Sequence, residues 1–125
     1  MKYKIILDTN VLMAVSQFKL DVFSQVDQFS DYPYELFILD KTILELNNIF
    51  TQQTGKNKQA AKLALSIIKQ KKLSLIPTEE GQVDDLLVAY SLKGYVIVTQ
   101  DLILKKRIKK AGGIALTIRQ KRKIA

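Results

Sequence analysis

The sequence predicts an α/β fold with a mostly parallel central sheet of four to five strands. Apolar runs of four to six residues alternate with helical patterns along the chain, and this alternation is typical of βαβ units. The sequence has no internal repeat, and its 125 residues are enough for one domain with a core of its own. We therefore expect a single domain over residues 1–118 and a basic tail at 119–125.

The first half of the chain is predicted to form two strands and three helices. In chain order these are a strand at 2–7, helices around 10–16 and 20–29, a strand at 35–39 and a helix at about 41–51. Pro33 marks a turn before the second strand, because proline fixes one backbone angle and breaks helices. Asp40 is expected to cap the helix that follows it, since its carboxylate can accept free backbone N–H groups. Gly55 fits a position just past the end of that helix.

The second half is predicted to form three strands and three helices. In chain order these are a helix at 57–71, a strand at 73–76, a helix at 83–93, a strand at 95–99, a helix at 101–110 and a short strand at 114–118. Pro77, Gly94 and the Gly112-Gly113 pair mark the ends of elements. The helix at 57–71 is amphipathic. The apolar face expected to pack inward carries Ala60, Leu63, Ala64, Ile67 and Ile68.

The composition excludes several kinds of site. The chain has no Cys, so disulfides and thiolate zinc sites are excluded and a reducing cytoplasm is the expected compartment. No apolar run approaches membrane-spanning length, and only three apolar residues lie between Lys4 and Asp8, so we expect neither a membrane association nor a signal peptide. Because His is also missing, Asp and Glu oxygens remain the main way to hold a metal. Such ligands favour Mg²⁺ or Mn²⁺.

Positive charge is concentrated at the end of the chain. Residues 101–125 hold nine basic residues and one acidic residue, a net charge of +8, which equals the net charge of the whole chain. A basic end combined with acidic positions elsewhere suits a polyanion that is gripped in one place and cut in another. The alternative is a solvated basic helix that only keeps the protein soluble.

Four acidic residues occupy informative positions. Asp8 and Asp101 each follow an apolar run, Asp84 lies at the start of a predicted helix, and Glu45 lies inside one. The carboxyl edges of parallel strands converge on the crevice where α/β sheets bind ligands. Taken singly, each aspartate could be a helix cap and Glu45 could be solvated surface. Taken together, carboxylates in one cleft repel unless a cation or protons separate them, and a divalent cation there suits hydrolysis of phosphate esters.

These residues also resemble the motifs of a known family. Asp8-Thr9-Asn10, which closes the first strand, resembles the opening motif of PIN-domain ribonucleases, and Glu45 in Thr42-Ile43-Leu44-Glu45-Leu46 is similar to the family's helical glutamate. Val83-Asp84-Asp85-Leu86-Leu87-Val88-Ala89 is similar to the third acidic motif, in which Asp84 is the matching position. Val98-Thr99-Gln100-Asp101 resembles the fourth motif through Thr99 and Asp101. The resemblance runs from residue 3 to about residue 118.

The resemblance implies a three-layer α/β/α sandwich (a PIN-like domain over residues 1–118) that cleaves single-stranded RNA with a divalent metal. Asp8, Asp84 and Asp101 would be metal ligands, directly or through water, and Glu45 would be a ligand or would orient the attacking water. Asp85 is expected to be a solvated residue that supports the helix dipole. The supporting residues, which could hydrogen-bond a carboxylate or a phosphate oxygen, are Thr9, Asn10 and Thr99. The basic residues expected to contact phosphates are Lys105, Lys106, Arg107, Lys109 and Lys110.

Two other functions are compatible with the same motifs. One is a toxin ribonuclease of a toxin–antitoxin pair, and the other is a non-catalytic RNA-binding scaffold that keeps the fold. Toxin-type members often carry a further acid two residues after the last aspartate, where this chain has Ile103. The Asp84-Asp85 pair and the basic region at 105–107 look closer to stand-alone archaeal or ribosome-processing members. Candidate partners are therefore ribosomal RNA or its precursors, a second copy of the chain and an antitoxin protein.

Overall fold

A computed structural model describes residues 2–18 and 21–118, so the expected basic tail at 119–125 lies outside the described residues. Five strands are seen there: β1 (Tyr3–Leu7), β2 (Tyr34–Leu39), β3 (Ser74–Ile76), β4 (Tyr95–Val98) and β5 (Ile114–Leu116). The same ranges contain six helices: α1 (Thr9–Phe18), α2 (Val22–Phe29), α3 (Asp40–Gln52), α4 (Gly55–Gln70), α5 (Val83–Ser91) and α6 (Leu102–Ala111). None of the helices in these ranges is both long and apolar enough to cross a membrane.

The five strands form one parallel sheet in the order β3-β2-β1-β4-β5. The chain therefore builds outward from the central β1 to β3 on one side and then returns to place β4 and β5 on the other side. The register pairs Leu7 of β1 with Val98 of β4, so both strands end at the same edge of the sheet. This edge, between β1 and β4, is the switch point at which such sheets bind ligands.

Helices cover both faces of the sheet and confirm the three-layer α/β/α prediction. Successive side chains of a strand point to opposite faces, so Ile5 and Leu7 of β1 pack with helices α1 to α4, whereas Ile6 packs with α5 and α6. Residues in β4 alternate in the same way, with Val96 and Val98 on the first side. The buried sheet explains why the central strands are almost continuously apolar in sequence.

The expectations for Asp40 and Gly55 were wrong. Asp40 is the first residue of α3 but does not cap it, because its carboxylate accepts hydrogen bonds from the backbone N–H and the hydroxyl of Thr78, at 3.1 and 2.6 Å. These bonds, the hydroxyl bond first, hold the pKa of Asp40 below its usual value. Gly55 does not end α3 but begins α4, with a positive φ of 67° that reorients the chain between the two helices.

Leu63 was also placed wrongly by its sequence pattern. It belongs to the apolar stripe of α4, yet 48% of its surface is exposed, while Ala60, Ala61, Ala64 and Ile68 are buried. Small residues dominate the buried face because α4 packs closely against both α1 and α3. Leu63 is therefore left at the rim of that contact.

Candidate active site

All four predicted acids line one cleft of about 870 Å³ at the carboxyl edge of the sheet. Asp8 follows β1 and Asp101 follows β4, so the parallel pairing of these neighbouring strands brings the two carboxylates to the same edge. Glu45 reaches the cleft from the middle of α3, and Asp84 reaches it from the first turn of α5. The strand order therefore brings together acids that are up to 93 positions apart in sequence, as their positions at the ends of strands and in helices predicted.

Asp8 is held rigidly at the floor of the cleft. Asp8 is only 8% exposed. One of its carboxylate oxygens accepts a hydrogen bond from the backbone N–H of Thr9 and the other accepts one from the hydroxyl of Thr99, both at 2.8 Å. Burial raises the pKa of Asp8 above its usual value, and the charges of Asp84 and Asp101 raise it further, while the two hydrogen bonds oppose the shift. A carboxylate that is shielded from solvent and lies near other carboxylates is stabilised by a bound cation.

Thr99 connects the polar groups at the ends of β1 and β4. The residue is 0% exposed, and its hydroxyl donates to Asp8 and accepts the backbone N–H of Asp101 at 3.1 Å. The side chain of Asn10 donates to the same hydroxyl at 3.4 Å and accepts the backbone N–H of Gln100 at 3.1 Å. Thr99 and Asn10 therefore fix the start of α1 against the loop that carries Asp101.

Glu45 is supported by a pair of threonines, one of which the sequence analysis missed. The hydroxyl of Thr9 donates to Glu45 at 3.3 Å and shares a hydrogen bond of 2.9 Å with the hydroxyl of the buried Thr42. Thr42 lies three residues before Glu45, a spacing that places both on one face of α3 and could have identified it. Burial raises the pKa of Glu45, with a further contribution from the charge of Asp8.

The capping explanation holds for Asp101 and fails for Asp84. Asp101 caps α6, because one of its carboxylate oxygens accepts the backbone N–H groups of Ile103 and Leu104 at 2.9 and 3.2 Å. Its second oxygen makes no such bond within the described residues, and the side chain still lines the cleft. Asp84 is exposed, and within the described residues it makes neither a hydrogen bond nor an ion pair. A helix cap therefore does not explain why an acid occupies position 84.

One basic residue of α6 also lines the cleft. Arg107 forms an ion pair with Asp85, the neighbour of Asp84, at the rim. Asp85 is therefore more than a solvated first-turn residue, since it holds a guanidinium next to the acids. The four lysines predicted to contact phosphates do not line the cleft; they lie elsewhere on α6, at Lys105, Lys106, Lys109 and Lys110.

The oxygen donors of the cleft fit a hard divalent cation held partly through water. Four carboxylates line one space, and burial, with a smaller contribution from the neighbouring charges, raises the pKa of Asp8 and of Glu45, a cost that a cation would relieve. Across residues 2–18 and 21–118, however, no three acids are arranged to grip a metal ion directly. Mg²⁺ is commonly bound by one or two carboxylates while waters and substrate phosphates complete its shell. The cleft thus suits a cation that shares its coordination with a phosphate substrate.

Comparisons with known proteins agree with this geometry. The family model described as PIN like domain matches residues 5–121 of the chain. Ribonuclease VapC9 of Archaeoglobus fulgidus is 31% identical over 108 residues, which span 86% of this chain and 76% of that protein. Ribonuclease VapC4 of Methanocaldococcus jannaschii is 24% identical over 122 residues, which span 96% of this chain and 93% of that protein.

A solved structure has the same arrangement of elements. The PIN domain endonuclease Utp24 superposes with a TM-score of 0.72 at 27% sequence identity, and the match covers 94% of this chain and 86% of that one. The similarity therefore extends over nearly the whole of this chain.

Proposed function

The chain belongs to the PIN-like domain family, and on that premise we propose that it is a divalent-metal-dependent endoribonuclease that hydrolyses phosphodiester bonds of single-stranded RNA. The observation that carries the proposal is the convergence of Asp8, Glu45, Asp84 and Asp101 on one cleft at the switch point of the sheet. We assign the activity to a single domain over residues 1–118. The proposed compartment is the cytoplasm.

In this proposal Asp8, Asp84 and Asp101 hold the metal, directly or through water, and Glu45 binds it or orients the attacking water. Mg²⁺ or Mn²⁺ is the proposed ion, because the donors that line the cleft are mainly oxygens of carboxylates, a hydroxyl and side-chain amides. When bound, the ion would neutralise charge on the phosphate and make a hydroxide available at neutral pH. The single-stranded substrate could be ribosomal RNA or one of its precursors.

The chain's own residues supply positioning and polarity around the reacting phosphate. Thr9 and Thr99 hold both oxygens of Asp8, which fixes the direction in which its remaining lone pairs point. Asp101 keeps one oxygen on the start of α6, and its other oxygen makes no hydrogen bond within the described residues and so stays available for the metal. Arg107 at the rim places a planar cation where a phosphate can be bound bidentately.

Two isosteric substitutions test the proposal. Asp8→Asn and Asp101→Asn should each abolish RNA cleavage in the presence of Mn²⁺, because an amide is a poor ligand for a hard cation. The domain should stay folded, since Asn also caps helices and accepts backbone N–H groups. Asp21→Asn is the matched control, because Asp21 caps α2 through the same kind of bond, to Ser24 at 2.9 Å, and does not line the cleft. Normal cleavage by both cleft variants would overturn the proposal.

A toxin ribonuclease of a toxin–antitoxin pair is the second candidate. It is favoured because both curated relatives bear the name VapC and match most of the chain. The toxin role predicts that the product of an adjacent small gene binds the chain and blocks cleavage. Co-expression followed by size-exclusion chromatography tests this and also shows whether the chain forms the proposed homodimer. A monomeric chain that keeps its activity beside that product would favour the RNA-processing role.

A further inference from the structure

We propose that a groove between α1 and α4 binds the single-stranded RNA on one side of the point of cleavage. The proposal rests on the ribonuclease function and assigns a second part of the substrate site. The groove has a volume of about 980 Å³, similar to that of the acidic cleft. Its walls are formed by the last turn of α1 and by the first three turns of α4, which include Ser16, Gln17, Phe18, Lys56, Lys62 and Leu63.

The groove and the acidic cleft adjoin. Gln17 and Phe18 line both of them, so a strand that leaves the acids along α1 reaches the groove at these two residues. An endonuclease holds its substrate on both sides of the bond that it cuts. The acidic cleft supplies little of that grip, because its lining sets one cation, Arg107, against four carboxylates and Asp85.

The groove has the two kinds of group that bind a single strand. Phe18 is 60% exposed and Leu63 is 48% exposed, so the groove offers an aromatic ring and an apolar side chain to the bases. Lys56 and Lys62 are exposed on the walls, and none of the described lining residues is acidic. Aromatic rings that stack bases, flanked by cations that track phosphates, are the usual elements of binding that does not depend on sequence.

Charge and continuity favour RNA over an apolar protein partner. An exposed Phe and Leu would also suit a helix of another protein or a second copy of this chain. The groove, however, has two cations and adjoins the site at which RNA is to be cut. A polyanion that must reach those acids is therefore the occupant that satisfies both features.

Binding of short RNA strands tests the proposal. Dissociation constants for fluorescein-labelled oligouridines, one just long enough for the cleft and one several nucleotides longer, would be measured by anisotropy in EDTA. Phe18→Leu should weaken binding of the longer strand by about tenfold and Phe18→Trp should restore it, because stacking needs a ring. The double variant Lys56→Gln/Lys62→Gln should reduce the log–log salt slope by about 1.4, since each phosphate contact contributes roughly 0.7. Binding of the short strand should change little in the double lysine variant, because Lys56 and Lys62 line the groove and not the cleft.

The double variant Lys69→Gln/Lys93→Gln removes the same charge from exposed positions outside the groove and should leave the salt slope closer to that of the wild type. Unchanged affinity for the longer strand in Phe18→Leu and in Lys56→Gln/Lys62→Gln would overturn the proposal. An altered oligomeric state of Phe18→Leu together with unchanged RNA affinity would also overturn it and identify a protein interface. A wild-type chain that binds RNA through the groove but never cuts it would refute the ribonuclease proposal and leave the groove assignment standing.

Discussion

Replacing Thr99 by Val tests whether the hydrogen bonds under the cleft hold its acids in place. Val has nearly the shape of Thr but lacks the hydroxyl, which donates to Asp8 at 2.8 Å and accepts the N–H of Asp101 at 3.1 Å. A hydrogen bond to a charged group contributes about 1.5–3 kcal/mol, and a buried donor left without an acceptor costs about 1–3 kcal/mol. Because Thr99 is fully buried, water cannot replace these bonds. We expect a loss of about 2–4 kcal/mol in the free energy of unfolding of the metal-free protein.

Thermal unfolding followed by circular dichroism in EDTA measures this loss. For a domain of this size 1 kcal/mol corresponds to roughly 4 °C, so the melting temperature should fall by about 8–16 °C at neutral pH. The pH dependence has a definite sign. The folded-state pKa of Asp8 is already raised, and loss of the Thr99 bond raises it further. A carboxyl whose pKa is higher in the folded state than in the unfolded state destabilises the fold as the pH rises from the unfolded-state pKa through the folded-state pKa. The loss in free energy of unfolding caused by Thr99→Val should therefore be smaller near pH 4, roughly the unfolded-state pKa of Asp, than near neutral pH.

Thr117 provides a matched control. Its hydroxyl is buried and has no hydrogen-bond partner within the described residues. Thr117→Val therefore removes the same atom without breaking a bond and should be neutral or slightly stabilising. If Thr99→Val costs no more than Thr117→Val, or if its cost is the same at both pH values, the reasoning about Asp8 is refuted.

Three further predictions concern the cleft, the basic helix and the packing of a glycine. Asp8→Asn should raise the melting temperature of the metal-free protein at neutral pH by removing a buried charge, as scanning fluorimetry in EDTA would show; no increase would contradict the assigned burial cost. Gly113→Ala should lower the free energy of unfolding by about 1–3 kcal/mol, because the added Cβ would lie 2.7 Å from Ser91 Cβ and 2.9 Å from Ile108 Cγ2. An unchanged midpoint of urea unfolding would contradict this packing. Neutralising the basic residues of α6 should reduce the salt slope of RNA binding by roughly 0.7 per lost contact without changing Mn²⁺ affinity, and an unchanged slope would place the RNA elsewhere. The residues to be changed to Gln are the four lysines outside the cleft, Lys105, Lys106, Lys109 and Lys110, because Arg107 lies beside the acids and its loss would alter Mn²⁺ affinity.

The strands and the convergence of the acids could be predicted because short-range signals determine them. The apolar runs that become β1 and β4 each end in a polar residue, and parallel strands share their carboxyl edge, so Asp8 and Asp101 had to meet if those strands were neighbours. The order of the strands, with β4 beside β1, is not a local property. The resemblance to PIN-domain ribonucleases supplied the three-layer α/β/α arrangement and the roles of the four acids, which composition and spacing do not determine.

The errors concern contacts between residues that are far apart in sequence. Asp40 has the local pattern of a helix cap, but Thr78 is 38 residues away and takes its carboxylate. Arg107 stays a predicted phosphate contact, but its ion pair with Asp85, 22 residues away, was not foreseen. Leu63 follows the apolar period of α4 and is nevertheless exposed, because close packing around α4 favours alanine. In each case the partner or the packing distance was decided by tertiary structure.

The central claim is that the four acids form one metal-binding catalytic cleft. Anomalous diffraction from crystals soaked in Mn²⁺ tests it most directly, because the signal locates the ion without any assumption about activity. The account predicts anomalous density in the cleft between Asp8, Asp84 and Asp101, and the loss of that density in crystals of the Asp8→Asn variant. A cleft without density in a protein that cleaves RNA in EDTA, or density bound at another group of residues, would contradict the account.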